Sequence, residues 1–296
     1  MDTFSIVSIM IIVFIFALGA IRRFTMTYLL IMGNLVIYFL TIVSFSGFGS
    51  YASSPIQLDL GLRPVYLASG DNIYTLFTHM FVHSTIAHVI VNMLFLFLIG
   101  VQLESRIGKG RFTLIFVIAG LAGGVLQSLV DWGTGVLIIG ASGAISGVMG
   151  AMILLYPRDE TPMFLGPLFL PRVPVWMSVG SWFAIQVVMV FLDSGPVAYS
   201  AHIGGFLAGM VLAQIISMKK PAVERVSFDV GSLEPLATTP EMKNAIRMIK
   251  NAKEEDVRKA WLEYFAERAR CPKCGSEMVI KGNKLICSCG NEVLVK

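Results

Sequence analysis

A serine and a histidine lie in two apolar segments that are far apart in this chain. Ser142 stands in Gly140-Ala141-Ser142-Gly143 at the start of one segment, and His202 stands near the start of the last one. Polar groups inside a bilayer are costly unless they are paired or have a function. Because a serine hydroxyl becomes a nucleophile when a neighbouring base takes its proton, this pair predicts peptide-bond hydrolysis within the membrane.

The small residues around Ser142 suit a reactive serine and also suit helix packing. Gly140 and Gly143 allow a tight turn and a close approach of substrate to the backbone. The unpaired N–H groups at a helix start can donate to a developing oxyanion. The alternative role is packing, and it is compatible with catalysis, because close contact of two helices would bring Ser142 to His202. Three sets of small residues have the required spacing: Gly143, Gly147 and Ala151; Ser142, Ser146 and Gly150; and Ala201, Gly205 and Gly209.

The apolar segments contain no aspartate that would complete a triad. Asp131 and Asp193 fall in the predicted loops. We therefore predict a dyad, in which packing or a neutral hydrogen bond orients His202.

A second polar pair, His88 and Asn92, is suited to an oxyanion site. The two residues are four positions apart and share one helix face, and both can donate hydrogen bonds while neutral. The alternative is a polar pair that packs helices together. His79 and His83 have the same spacing, but no carboxylate or cysteine is nearby, so we favour a structural role over a metal site.

The elements that position these residues are membrane helices. Of 296 residues, 55% are hydrophobic and 14% are charged, whereas soluble domains are about a quarter charged. The net charge of +4 comes from residues that flank apolar blocks or lie near the C-terminus, which is not a nucleic-acid-binding pattern. Long apolar blocks predict an all-α polytopic membrane protein with seven spans: 4–21, 26–46, 84–103, 112–130, 141–156 (a short one), 174–192 and 198–217.

Charges in the loops predict the orientation. Asp2 precedes the first span and Arg22 and Arg23 follow it, the reverse of a signal peptide, so we predict an uncleaved anchor that starts outside. The later loops agree with the positive-inside rule and predict a cytoplasmic C-terminus. The long loop 47–78 then lies outside, and its apolar content predicts a segment in the membrane interface. Ser142 and His202 both begin helices that enter from the outer face.

These motifs, in this order, resemble the rhomboid family of intramembrane serine proteases. The resemblance covers roughly residues 26–217. It rests on H-x-x-x-N (His88, Asn92), two upstream histidines (His79, His83), E-x-R (Glu104, Arg106), GxSG (Ser142) and A-H-x-x-G-x-x-x-G (His202, Gly205, Gly209).

The resemblance implies a six-helix catalytic core at 23–218, preceded here by an extra helix at 1–22. It implies Ser142 as nucleophile and His202 as base and then acid, with no cofactor for catalysis. It also implies an oxyanion site, formed by His88, Asn92 and the Ser142 N–H, and a structural role for Glu104 and Arg106. These two would stabilise the loop 47–78 and the inner end of the neighbouring helix.

The sequence departs from the family pattern at three places. Tyr74-Thr75 stands where many members have Trp-Arg, and Ser146 stands where an aromatic residue often packs on the histidine. The additional N-terminal span makes an arrangement of one plus six helices, which is less usual than six.

The C-terminal part has a different composition and predicts a linker at 219–240, an amphipathic helix at 241–269 and a zinc ribbon at 270–296. The chain's four cysteines, Cys271, Cys274, Cys287 and Cys289, form C-x2-C and C-x-C knuckles around a hairpin signal at Gly282-Asn283. This pattern suits a structural zinc ion, although the second knuckle is one residue shorter than usual. The alternative is two disulfides, but the predicted cytoplasmic side is reducing.

The predicted function is that of an intramembrane serine endopeptidase in a prokaryotic plasma membrane. Its partners are the bilayer and single-span membrane protein substrates, with helix-destabilising residues near the outer face. No nucleic-acid partner is predicted, and a cytoplasmic protein that docks on the zinc ribbon is a further hypothesis. The alternatives are a non-catalytic relative that binds transmembrane clients, and a transporter. A transporter predicts midplane polar groups and inverted repeats, and the sequence contains neither.

Overall fold

The computed structural model describes residues 1–21, 23–45, 53–165, 168–192, 197–218, 230–252, 255–281 and 284–294. The chain divides into two compact units, Met1–Lys219 and Lys220–Lys296. Several sequence predictions lie outside the described residues: Arg22, Asp193, positions 47–52 of the outer loop, 219–229 of the linker, and the hairpin turn 282–283.

The first unit is built from apolar helices, listed here in chain order. They are α1 (Thr3–Ala20), α2 (Met26–Val43), α3 (Pro55–Leu60), α4 (Pro64–Ser69), α5 (Thr75–Thr78), α6 (Ile86–Phe95), α7 (Val101–Ile107), α8 (Lys109–Val130), α9 (Ser142–Leu155), α10 (Val175–Leu192) and α11 (Tyr199–Met218). A 3₁₀ turn at His79–Phe81 follows α5, and a π-helical turn at Leu96–Gly100 joins α6 to α7.

Six of these segments are long and apolar enough to cross a membrane: α1, α2, the continuous segment Ile86–Ile107, α8, α10 and α11. Helix α9 is apolar but shorter, as the sequence predicts for the fifth span. The prediction of a helical multi-pass membrane protein is therefore confirmed. Helix α9 is buried along most of its length, because α8, α10 and α11 pack around it.

The segment between α2 and α6 is held in place by polar side chains that donate hydrogen bonds to backbone carbonyl groups. Gln57 Nε2 donates to His83 O at 3.0 Å and Thr78 Oγ1 donates to Leu60 O at 2.7 Å. The Tyr74 hydroxyl donates to Asp59 O at 2.9 Å, so this residue anchors the loop without the family's Trp-Arg pair.

An antiparallel hairpin, which the sequence did not predict, connects α9 to α10. Strand β1 (Glu160–Leu165) pairs with β2 (Leu168–Pro174), and the register shifts between Thr161 and Met163. Proline cannot donate to a sheet and often marks such irregularities, and Pro162 lies at this shift. Because of these prolines, the sequence of the segment between α9 and α10 predicted a loop and not two strands.

Glu104 is the buried acceptor that joins α7 to the start of α2. Its carboxylate accepts from Met26 N at 2.8 Å, from Thr27 N at 2.7 Å and from Thr27 Oγ1 at 2.7 Å. The first N–H groups of a helix lack partners within the helix, and a negative charge there is favoured by the helix dipole.

Arg106 lies two residues further along α7 and makes different contacts. It pairs with Asp159 at 2.6 Å and stacks over the Tyr156 ring, next to the β1–β2 hairpin. Glu104 thus contacts the start of the neighbouring helix α2, and the placement of this end on the inner side of the membrane stays a prediction. The polar contacts of Glu104 and Arg106 do not involve the described part of the loop 47–78.

Glu104→Gln is expected to lower the free energy of unfolding by about 3 kcal/mol, because one buried donor then faces an NH₂ group instead of an oxygen. The measurement is thermal unfolding of the purified protein in detergent. Glu160→Gln is the matched control, since Glu160 makes only an exposed pair with Arg172 at 3.9 Å and should change stability by less than about 0.5 kcal/mol. Equal shifts for both variants would contradict the capping role.

The second unit has two helices where the sequence predicted one amphipathic helix over 241–269. A 3₁₀ segment (Val230–Leu236) is followed by α12 (Pro240–Asn251), α13 (Glu255–Ala266) and a sheet of β3 (Met278–Lys281), β4 (Lys284–Cys287) and β5 (Glu292–Leu294) in the order β3-β4-β5. The prediction of a single helix is wrong because the apolar stripe stops after Ile249. The positions that would continue it are Lys253 and Asp256.

The two helices and the sheet share one hydrophobic core. Met242, Ile249, Phe265 and Leu285 lie in this core together with Cys271 and Cys287. The predicted amphipathic and cysteine-containing segments therefore form one unit, and the cysteine cluster is part of its core.

Candidate functional site

The structure brings Ser142 and His202 together at the starts of α9 and α11. Ser142 Oγ and His202 Nε2 are 2.8 Å apart, which is hydrogen-bonding distance. Ser142 is the first residue of α9, so its backbone N–H is among those without a helical partner. His202 is 8% exposed, so the imidazole has little contact with surrounding solvent or lipid.

Glycines bring α9 and α11 into backbone contact. A Cβ atom at Gly205 would collide with the carbonyl of Gly143, and one at Gly209 would collide with the carbonyl of Gly147. Helix α8 approaches equally closely, since a Cβ at Gly123 would lie 2.5 Å from Ala201 O. The small-residue stripes thus pack the helices and thereby position the serine and the histidine.

Two residues of α10 contact the imidazole of His202, and the sequence analysis did not identify either one. Gln186 Oε1 lies 2.7 Å from His202 Nδ1, and the Trp182 ring centroid lies 5.8 Å from that of the imidazole. Tyr199 of α11 adds an edge-on contact at 6.3 Å. Ser146, at the position of the family's aromatic residue, donates instead to Ser142 O at 2.6 Å. A buried glutamine in an otherwise apolar helix was the signal available in the sequence.

Gln127 of α8 fixes the backbone beside the histidine. Its Oε1 accepts from Ala201 N at 3.1 Å, and its Nε2 donates to Asp131 Oδ2 at 2.8 Å. Ala201 lies in the first turn of α11, where helix N–H groups need external acceptors. The side-chain amide therefore anchors the helix start that carries His202.

Gly140 and His88 form the wall next to the serine. Gly140 has φ +120° and its N–H donates to His79 O at 2.9 Å. A Cβ at this position would lie 2.6 Å from His88 Nε2 and 3.8 Å from Ser142 Oγ. Glycine is therefore required by both the backbone conformation and the space, since the His88 imidazole occupies the position of a side chain at residue 140.

The predicted oxyanion residues are held by local hydrogen bonds on α6. His88 Nδ1 lies 3.1 Å from Ser84 Oγ. Asn92 Nδ2 donates to His88 O at 3.0 Å, so in this structure that amide nitrogen is bonded to its own helix. The imidazole of His88 shares the space around Gly140 with Ser142 Oγ.

His79 and His83 are buried histidines in the segment before α6. His79 Nδ1 lies 3.0 Å from Thr75 O, and the ring of His83 packs edge-on against His88 at 4.9 Å. Burial lowers the pKa of His79 to about 4 and the pKa of His83 to about 3. Both are therefore neutral at cellular pH, which suits the structural role predicted for them.

The four cysteines converge in the second unit. Their sulfur atoms all lie within 4.8 Å of one another, with Cys271–Cys289 at 3.6 Å and Cys274–Cys287 at 3.4 Å. Four thiolates around zinc at about 2.3 Å are about 3.8 Å apart, whereas a disulfide requires about 2.05 Å. Hydrogen bonding to Ser276 lowers the pKa of Cys274 to about 6. The cluster therefore fits a tetrahedral metal ion.

Comparison with known proteins finds rhomboid relatives in a plant and in bacteria. The family model of the rhomboid domain matches residues 70–219. RHOMBOID-like protein 6, mitochondrial, of Arabidopsis thaliana is 31% identical over 153 residues, which cover 52% of this chain and 47% of that protein. RHOMBOID-like protein 1 of the same plant is 28% identical over 155 residues, or 50% of this chain and 35% of that protein.

A bacterial protein is similar to this chain over a comparable length. Rhomboid protease GlpG of Salmonella newport is 28% identical over 144 residues, which cover 48% of each chain. This chain spans about half or less of the length of these curated relatives.

Proposed function

This chain belongs to the rhomboid family, and we propose that it is an intramembrane serine endopeptidase that uses Ser142 as nucleophile and His202 as base. The observation that carries the proposal is the 2.8 Å contact between Ser142 Oγ and His202 Nε2. A partly buried serine and a buried histidine from distant parts of a membrane-spanning fold meet in the geometry of a nucleophile and its base.

The reaction proceeds through an acyl-enzyme. His202 Nε2 takes the hydroxyl proton as Ser142 Oγ attacks the peptide carbon, and the negative oxygen of the tetrahedral intermediate accepts hydrogen bonds. The Ser142 N–H at the start of α9 and the imidazole of His88 are the proposed donors. The imidazolium then gives its proton to the leaving amine. Water, activated by the same imidazole, hydrolyses the ester and restores the serine.

The substrate class follows from the location of the site. A transmembrane helix hides its backbone in internal hydrogen bonds, so a protease at this position needs a segment that leaves the helical state readily. We therefore propose single-span membrane proteins as substrates, with proline or glycine near the cleavage site. Positive charges in the predicted inner loops support a site near the outer face and a cytoplasmic C-terminus. A prokaryotic plasma membrane stays a prediction, since the matched relatives include plant and bacterial proteins.

The alternative is a non-catalytic rhomboid-like protein that binds transmembrane clients. Such a protein needs no hydrogen bond between a serine and a histidine. The direct contact between Ser142 and His202, and the small Gly140 beside them, therefore support catalysis.

The experiment that tests the function uses the full chain in detergent and a single-span model substrate. Cleavage and covalent labelling of Ser142 by a fluorophosphonate, located by peptide mass spectrometry, are the expected results. The client-binding alternative would be favoured if the folded wild-type chain neither cleaves the substrate nor reacts with the fluorophosphonate, but retains the substrate when the chain is immobilised on a column.

We further propose that Cys271, Cys274, Cys287 and Cys289 hold a structural zinc ion in the second unit. The ion would cross-link β4 to the segment before β3. This would stabilise a unit whose hydrophobic core is too small to keep it folded without the metal. A cytoplasmic protein that docks on this unit remains a hypothesis.

The purified chain is expected to contain one zinc ion, measured by elemental analysis, and Cys274→Ser is expected to lose it, because three thiolates bind far more weakly than four. Removal of zinc by a chelator should make the second unit sensitive to protease, because two of the sulfur atoms lie in its core. Ser288→Ala, a neighbour of two ligands, is the matched control and should retain the ion. Full zinc content in Cys274→Ser would contradict the proposed ligand set.

A further inference from the structure

We propose that Gln186 is a positioning residue that determines which nitrogen of His202 acts as the base, an inference that rests on the proposed protease function. Gln186 Oε1 is 2.7 Å from Nδ1 of the imidazole, and Ser142 Oγ is 2.8 Å from Nε2. An amide oxygen only accepts hydrogen bonds, so Nδ1 carries the proton. Nε2 is then left with the lone pair that must receive the serine proton.

The surroundings of Gln186 support this assignment. The residue is 8% exposed in an apolar helix, where an amide without a partner would be costly. Trp182 stands four residues earlier, on the same face of α10, and its ring packs against the imidazole. Helix α10 therefore supplies a polar and an aromatic contact to the ring in addition to those of Ser142 and Tyr199, whereas the glycines of α9 and α11 fix the backbone.

A neutral residue suits this position for an electrostatic reason. In soluble serine proteases a buried aspartate holds the histidine, and replacing it by asparagine gives the wrong tautomer and a large loss of rate. A carboxylate in a membrane interior carries a large desolvation cost. A glutamine whose oxygen faces Nδ1 selects the same tautomer as the aspartate does, without a buried charge.

The first test compares Gln186→Leu with the wild type on a single-span substrate. The variant should lose about 10- to 100-fold in kcat, by analogy with the cost of removing a partner that orients a metal-bound histidine. KM should stay the same, because the residue is argued to act through His202. Val188→Ala is the matched control, since Val188 is an exposed residue of the same helix. A kcat within twofold of the wild type would overturn the inference.

The second test is Gln186→Glu, which keeps an acceptor at Nδ1 and adds a charge. Activity should be retained, and the acid limb of the pH–rate profile should move to higher pH by about 1–2 units, because a carboxylate favours the imidazolium. In the part of the chain that the structure describes, His88 of α6 and Tyr199 of α11 are the other titratable groups that interact with the ring, and both are unchanged in this variant. A residue that served only packing would leave the profile in place, and that result would count against the proposal.

A third measurement needs no variant at Gln186 and remains decisive if both variants fail to fold. The ¹⁵N resonances of His202 in the wild-type chain, assigned by their loss in His202→Ala, should show a protonated Nδ1 and an unprotonated Nε2. The opposite tautomer would overturn the inference. A wild-type chain that does not label with fluorophosphonate refutes the protease function instead, which separates the two failures.

Discussion

Alanine in place of Ser142 or His202 is expected to reduce the rate of substrate cleavage by about four orders of magnitude or more. In the proposed mechanism, Ser142 supplies the oxygen that bonds to the substrate and His202 supplies and returns its proton. No other described group that contacts the two side chains can take over either step. Residues that act as one unit are strongly non-additive, so the double variant should be no slower than either single variant.

The measurement is initial-rate cleavage of a single-span substrate by the full chain in lipid vesicles, together with fluorophosphonate labelling. Ser217→Ala is the matched control, because this serine lies at the end of α11 opposite to His202 and donates to Gln214 O, so the variant should keep the wild-type rate. Cleavage that persists in Ser142→Ala would assign the nucleophile to another residue. A double variant much slower than both single variants would show that the two side chains act independently.

The sequence predicts the membrane helices and the serine with its glycine neighbours, because the signals for these features lie within short segments of the chain. Apolar blocks define the spans, and a reactive serine needs glycine neighbours whether or not the rest of the fold is known. The spacing of Gly143 and Gly147, and of Gly205 and Gly209, predicts close helix packing. It does not by itself show that these stripes face each other, as they do in the structure.

The contacts that orient the site could not be predicted, since they join residues that are distant in the chain. Gln186 and Gln127 lie in largely apolar helices, and their sequence neighbours do not reveal that one faces an imidazole and the other a helix N-terminus. The prediction of a single helix over 241–269 was wrong for a different reason, which is local. The apolar stripe is interrupted at Lys253 and Asp256, but apolar and charged residues alternate again from Val257 onward, so the sequence resembles one continuous helix.

Gly209→Ala is expected to lower the free energy of unfolding by about 3 kcal/mol, the upper range for overpacking a close contact. The added Cβ would lie 2.5 Å from the carbonyl carbon and 2.6 Å from the Cα of Gly147, distances that real Cβ atoms essentially never show. These atoms are backbone, so no side chain can rotate away and α11 has to move from α9. A shift of about 1 Å between the helices carrying Ser142 and His202 should slow fluorophosphonate labelling by about 100-fold.

Gly110→Ala is the matched control for Gly209→Ala. It adds the same methyl group at a position where no atom lies within 4 Å of the new Cβ. Gly110 is in α8, so alanine should leave labelling unchanged and stabilise the helix by about 0.5 kcal/mol. Thermal unfolding and the labelling rate of both variants, measured in the same detergent, separate close packing from the general effect of replacing glycine. If the two variants behaved alike, backbone contact between α9 and α11 would not be what positions the histidine. The Ser142–His202 distance would then have to depend on α8 and α10.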